Sequence, residues 1–361
     1  MPEVEGPDGG GRNVRASIRG TLAFVALVAV ASCPVLAAVD DIPETSGFSG
    51  FFLTGPAAFT VESNLIVDGA PLLDDVGNTQ IESIFDSPSA QTAPAWFLAG
   101  ELNYTFATTR TQLFFGNRLE DILRLDLTYG VGVRQELPDD SILALSVVAT
   151  PLEMRVWSDP YVEGVDRVPT DRNKPGLRLR WGRMFKTALE FTATFREVRH
   201  DQERSGEFLV DEGRLDPALQ PLLSRNGESL TLQFLYRVRA KQHHVFEPSI
   251  RYTGLDLDGA AMRSTAYALR LTYLYLTPKL VVDANLVLGT HEADEVHPVY
   301  GMVKEADRRG AAVSAFYDLF KKKRLRAYAT AEYFKEKANI DFFDSRVSAI
   351  SIGVFWRHGR K

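Results

Sequence analysis

The 361-residue sequence predicts an all-β protein, a transmembrane antiparallel up-and-down β-barrel of about fourteen strands behind an N-terminal signal peptide. Three observations carry that expectation. Segments along the whole chain alternate apolar and polar residues with a period of two, over stretches longer than ordinary soluble strands. The connections alternate as well, short then long, which is the loop asymmetry of outer-membrane barrels. The front of the chain has the three-part pattern of a secretory leader.

That leader is "GTLAFVALVAVASCPVLAA", Gly20 to Ala38, which follows Arg12, Arg15 and Arg19. A basic start, an apolar middle and a small-residue end make a signal peptide, with cleavage expected after Ala37 or Ala38. The run is short and broken by Pro34, which argues against a retained membrane helix. "VASC", Val30 to Cys33, has the look of a lipobox, but Pro34 directly after the cysteine argues against lipid attachment. The plan is therefore a signal peptide over 1–38, a short periplasmic segment over 39–46 and the barrel over 47–361. Cys33 is the single cysteine, so the exported chain holds no disulfide. With 45% hydrophobic and 24% charged residues the composition is that of a folded chain, and a net charge of −6 makes no case for nucleic acid. There is no Gly-rich phosphate loop, no metal-spaced Cys/His set and no short repeat, so no cofactor is expected.

The barrel segments follow in order. "TSGFSGFFLTGPAAFTVES" comes first. "AWFLAGELNYTF" sets Trp96, Leu98, Leu102, Tyr104 and Phe106 against Glu101, Asn103 and Thr105. After "TQLFFGNR", the stretch "ILRLDLTYGVGVRQEL" sets Leu123, Leu125, Leu127, Tyr129, Val131 and Val133 against Arg124, Asp126, Thr128, Arg134 and Glu136. "SILALSVVATPLEMRVW" reads as one strand with a bulge at Pro151. "GLRLRWGRMF" opposes Leu177, Leu179 and Trp181 to Arg178 and Arg180. "LEFTATFREVRH" opposes Leu189, Phe191 and Phe195 to Glu190 and Arg196. "ESLTLQFLYRVRAK", "HVFEPSIRYTG" and "STAYALRLTYLY" put Arg237, Arg239, Glu247, Arg251 and Arg270 on their polar faces. "KLVVDANLVLG" does the same with Asp283, and "RLRAYATAEYF" with Arg326 and Glu332. "GAAVSAFYDLF" and a final "SAISIGVFW" complete the set. Short turns ("ATTRT", "LPDDS", "FKT", "KQHH", "TPK", "FKKKR") alternate with longer links over 65–93, 157–174, 200–227, 291–308 and 337–346. Two further links, near 118–121 and 256–262, are shorter.

Alternation alone also suits a soluble sandwich, which buries its oily face against a second sheet. The leader, the strand length, the loop asymmetry and the arginine-rich second face favour the membrane. There the oily face meets lipid, Tyr, Trp and Phe near strand ends form the girdles, and closure removes the unpaired edges that lipid does not tolerate. The expected address is the outer membrane.

The stretch "GFSGFFLTG", then Asn64, then "NYTFATTRTQLFFGN" resemble an uncharacterised family of Gram-negative outer-membrane β-barrels, most clearly over 47–135. Its members open on a Gly-aromatic-Ser-Gly strand and carry a Tyr-Thr-Phe hairpin ahead of a Phe-Gly-Asn segment. The resemblance implies a porin-like fold and a location, and no substrate. The C-terminus is similar to the usual barrel-assembly signal, with Phe355 and Trp356 at its end but "RHGRK" added after them. That signal implies periplasmic chaperones and the assembly machinery as partners during biogenesis.

The inward face names the candidate site: Arg124, Asp126, Arg134, Glu136, Arg178, Arg180, Glu190, Arg196, Arg237, Arg239, Glu247, Arg251, Arg270, Asp283, Arg326 and Glu332 are expected to line the lumen. Charges at membrane depth are costly unless they meet water or partners. In one reading they line a wet pore and guide small hydrophilic, anionic solutes. In the other they pair across strands in a loop-plugged or structural barrel without conductance. A transporter of apolar small molecules is a further alternative, opposed by the polar interior. Within 200–227, Leu215, Leu219, Leu222 and Leu223 are expected on one short amphipathic helix, either folded into the pore or extending above it. "HEADEVHP", with His291, Glu292, Asp294, Glu295 and His297, is expected in one external loop, where it would be solvated or hold a cation. No Ser/His pair has a defensible spacing, so the protein is not expected to be an enzyme.

Overall fold

The computed structural model describes residues 41–68, 75–117, 128–149, 154–319 and 325–359. The leader, Cys33, Leu123 to Leu127 with Arg124 and Asp126, and Pro151 lie outside them. Seventeen strands are described, of which fourteen form the wall; two make a separate loop hairpin and one continues a wall strand. The wall strands are β1 Gly47–Glu62, β2 Ala90–Phe106, β3 Thr111–Gly116, β4 Tyr129–Glu136, β5 Ile142–Ala149, β6 Gly176–Met184 and β7 Leu189–His200. They continue as β8 Gly227–Tyr236 (prolonged by Val238–Lys241), β9 His244–Leu257, β10 Ser264–Leu276, β11 Leu280–His297, β12 Met302–Asp318, β13 Leu325–Ala338 and β14 Ser345–His358. Each pairs antiparallel with the next, and β14 pairs back on β1 through Gly50↔His358 to Glu62↔Arg346, so the sheet closes. At this seam a Cβ on Gly55 would fall 2.0 Å from the Ile352 carbonyl oxygen and one on Gly353 2.1 Å from that of Thr54, so only glycine lets the two strands meet.

The alternation read from the sequence holds where it is described. Leu102, Val131, Leu145, Leu177, Leu269, Leu288 and Ile350 are exposed on the outer face, while Glu101, Arg134, Arg180, Glu247 and Asp283 are buried on the inner one. Exposed leucine and valine in a closed barrel are what a lipid solvent selects. The sharp turns at 107–110, 137–141 and 185–188 share one rim with the start of β1 and the end of β14. In them Arg110 (φ 53°), Asp140 (φ 66°), Phe185 (φ 54°) and Lys186 (φ 58°) adopt the left-handed backbone that tight hairpins require. The long connections share the other rim.

Three expectations need correction. The segment after β5 is not one bulged strand: Met154–Trp157 leaves the wall and pairs with Pro169–Asn173 in its own hairpin. The link expected over 291–308 is mostly strand, because β11 runs to His297 and β12 starts at Met302. The leucines of 200–227 do not share one helix. A short helix Glu207–Asp211 buries Leu209, a 3-10 turn Gln220–Leu223 buries Leu223, and Leu219 is exposed.

The largest apolar core among the described residues lies in a cap over the long-loop rim. Leu65, Ile81 and Ile84 from the connection after β1 meet Tyr161 from that after β5 and Leu209, Leu215 and Leu223 from that after β7. Tyr300, Ile340, Phe342 and Phe343 arrive from the connections after β11 and β13. Removing these side chains from water is what orders loops that otherwise have only polar backbone to offer.

Candidate functional site

The inner wall is built by register. On β2 to β4, Arg134 is buried and donates to Glu101 Oε2 at 2.5 Å, to Gln112 Oε1 at 2.7 Å and to Asn103 Oδ1 at 3.2 Å, with its guanidinium 4.2 Å from the centre of the Phe114 ring. Arg110 donates to Glu136 at 2.6 Å beside the sharp turn. Across the wall, Arg180 pairs with Glu190 at 2.5 Å and Arg237 with Glu247 at 2.5 Å. Arg251 donates to Gln233 Oε1 at 2.9 Å, and Arg178 to Thr194 Oγ1 at 3.0 Å. Arg196 reaches Thr128 Oγ1 at 2.6 Å, and Arg326 reaches Asp318 at 2.6 Å. Asp283 is fully buried and accepts from Asn285, which in turn accepts from Thr272. Arg239, Arg270 and Glu332 take the same inward side of β8's continuation, β10 and β13.

The distribution around the ring is uneven. On β6 to β10 the inner face carries Arg178, Arg180, Arg196, Arg237, Arg239, Arg251 and Arg270 against Glu190 and Glu247. The other side of the ring carries a feature that the sequence reading did not pick out. Phe51, Leu53, Phe97, Phe316, Tyr328 and Phe355 gather inside the wall near the sharp-turn rim. Phe355 lies 5.6 Å, centre to centre, from both Phe51 and Phe316. Inward aromatics at "GFF" and "VFW" were masked by their outward neighbours Phe52 and Trp356, since two aromatics in succession have one on each face.

The cap supplies the second half of the geometry. Asp159 accepts the backbone N–H groups of Tyr161 (3.0 Å), Gly206 (3.0 Å) and Phe208 (2.9 Å), which ties the connection after β5 to the short helix after β7. Arg225 donates to the carbonyls of Trp157 (2.8 Å) and Ser158 (2.9 Å) and pairs with Glu203 at 3.0 Å. Arg167 stacks on Trp157 at 4.4 Å and donates to the carbonyl of Asn64 at 2.9 Å, binding in the connection after β1. Tyr161 then stacks on Phe342 at 5.4 Å, and its hydroxyl meets His297 Nε2 at 3.0 Å. The connections after β5 and after β13 leave the rim on opposite sides of a fourteen-strand ring, so these contacts cross the mouth. None of these cap residues was singled out for this role from sequence, except that His297 and the loop leucines were marked.

"HEADEVHP" is not a loop. At the end of β11 alternation sends His291, Ala293 and His297 inward and Glu292, Asp294 and Glu295 outward to solvent, above the apolar belt. Among the described residues no group of three His, Cys, Asp or Glu is placed to hold a metal. His297 instead packs between Tyr161, Tyr300 and Phe343, and burial, with Lys304 nearby, holds its pKa down to about 3. His200, at the rim end of β7, is held at about 3 by burial and then by Arg225. A histidine whose pKa is lowered on cap closure takes a proton only when the cap opens. Its contribution is full above pH 6.5 and is lost as pH falls from there towards 3, by up to about 1.4 kcal/mol per pH unit for each histidine. Limited proteolysis of the folded protein should therefore cut 201–226 faster at pH 4.5 than at pH 7.5, with His297→Gln flattening the dependence. Equal rates at the two pH values would contradict the coupling.

No curated protein matches the chain. Several solved outer-membrane barrels are similar in fold alone. A Pseudomonas aeruginosa FadL homologue is 12% identical with a TM-score of 0.42, over 86% of this chain and 90% of that one. OmpT, an outer membrane protein of Vibrio cholerae, is 10% identical with a TM-score of 0.38, over 90% and 100%. An anion-selective porin from Comamonas acidovorans is 9% identical with a TM-score of 0.37, over 87% and 100%. The family is shown by sequence: residues 47–357 match the one described as "Protein of unknown function (DUF2860)", and this chain, a closed fourteen-strand barrel of the outer-membrane kind, belongs to it.

Proposed function

We propose that the protein is an outer-membrane channel through which small hydrophilic solutes, anions in preference, diffuse passively. The lumen would be lined by Arg134, Arg178, Arg180, Arg196, Arg237, Arg239, Arg251, Arg270 and Arg326 with the carboxylates among them. The observation that supports this most is the β6–β10 wall, where seven arginines face inward with two glutamates. Eight strands already make an interior that side chains fill, so fourteen leave room for a path. A row of guanidinium groups along it raises the local concentration of anions and repels cations. The cap then sets when that path is open to the outside.

A second reading is favoured by the cap itself: a barrel whose mouth stays covered and which conducts nothing. Single-channel recording separates the two. Residues 39–361 folded into a planar bilayer across a salt gradient should give discrete steps with a reversal potential on the anion side. Silence from protein shown to be folded by a heat-dependent gel shift, at both neutral and acid pH, would favour the covered barrel.

A further inference from the structure

The outer face of β12, β13 and β14 carries a row that lipid alone does not account for. Arg309 pairs in register with Lys335, and Lys335 with Arg346. All three lie on the lipid side, in line with Tyr333, Val313 and Ile350, which are exposed two to four residues further down their strands. Directly opposed side chains of an antiparallel pair stand about 5 Å apart, and like charges there repel. Among the described residues neither the Arg309 nor the Lys335 side chain has a hydrogen bond or ion pair; Arg346 bonds Glu62 at the seam. The contrast with nearby charges is informative. Lys337, one outward step above Lys335, is held by Asp341 and Asp344 at 2.7 Å each. On the far side of the barrel a row of Glu197, Glu228 and Asp256 is relieved at its ends by Arg199 and by Arg263.

Position explains what would relieve the cationic row. It stands immediately above the apolar belt, on the rim side of the aromatic Tyr333 and towards the long loops. That is the depth of the headgroups of the outer leaflet. Arginine grips phosphate with two parallel N–H bonds, and lysine adds a point charge. We propose that Arg309, Lys335 and Arg346 form a binding site for a phosphorylated glycolipid of the outer leaflet. Its phosphate would lie across the row, and its acyl chains on Val313, Ala331 and Ile350 below. This site stands independently of any conductance through the lumen.

Native mass spectrometry of the whole folded barrel in detergent tests it, with a bisphosphorylated diglucosamine lipid as probe. The wild type should retain one such lipid. Arg309→Gln with Lys335→Gln should weaken retention about thirtyfold, the sum of two charges at an anionic surface. Arg309→Lys, which keeps the charge, should stay close to wild type, and the dephosphorylated lipid should be lost as the double variant loses its ligand. All variants are checked for folding by the heat-dependent gel shift. Equal retention by the folded double variant would overturn the site. Displacement of the lipid by millimolar inorganic phosphate alone would also overturn it, by showing a free-anion site that takes no part of its ligand from the bilayer.

Discussion

Phe342→Ala is expected to open the cap. Phe342 is fully buried, stacked on Tyr161 at 5.4 Å and meeting Phe343 edge-on at 5.2 Å, with Tyr300 at 6.1 Å. Truncating such a ring in a packed core costs about 3–5 kcal/mol. The cost falls on the closed cap alone, because the open cap leaves the ring in water whichever residue is present. The closed-to-open ratio should then fall by about two to nearly four orders of magnitude. In single-channel recording that is a change from rare openings to a path that is open most of the time. The backbone carbonyl of residue 342 still accepts from Asn64 at 3.2 Å, and the wall's ladder is untouched, so the gel shift of the folded barrel should persist. Loops that become protease-sensitive while the current stays unchanged would show that the cap is not what controls the path.

The wall was legible in the sequence because lipid imposes a strict rule on it. Every second residue of a spanning strand meets hydrocarbon, so Leu286, Leu288, Ile350 and Ile352 give away both the strand and its face. The interior was legible only in part. Parity places Arg180 and Glu190 inward, but that they meet at 2.5 Å depends on the register between β6 and β7, which alternation does not fix. Parity also hid Phe51 and Phe355, each next to an outward aromatic. The cap was the least legible. Its contacts join residues as far apart in sequence as Asn64 and Phe342, and Tyr161 and His297, through loops with no period to read. What the sequence does carry is apolar residues where an exposed loop has no use for them: Ile81 and Ile84, Leu209 and Leu215, and "IDFFD" after β13. "HEADEVHP" misled for the opposite reason, since five polar or charged residues in eight suggest a loop until β11 is seen to run above the membrane.

Charge reversal at two arginines of the β6–β10 wall should largely remove anion selectivity, and the pairing inside the barrel decides which arginines serve. Arg237 is a poor choice. It is held by Glu247, which is almost wholly buried, and a glutamate at 237 would set two carboxylates against each other there. Breaking a buried pair costs about 3–5 kcal/mol, so that variant would report on folding. Arg251 donates to the neutral Gln233, and Arg239 forms no ion pair among the described residues, so neither replacement strands a carboxylate there. Arg251→Glu with Arg239→Glu moves the wall by four charges, from seven arginines and two glutamates to five and four. Fields of this size in a narrow, low-dielectric passage change local ion concentration about tenfold or more. The anion-to-cation permeability ratio should fall by at least about that factor, and the reversal potential in a salt gradient should move towards zero. The effect should fade at molar salt, where the screening length shrinks to about 3 Å. A reversal potential that does not move in the folded double variant would mean that permeating ions do not pass along β6 to β10, and the arginines would then be holding the wall together.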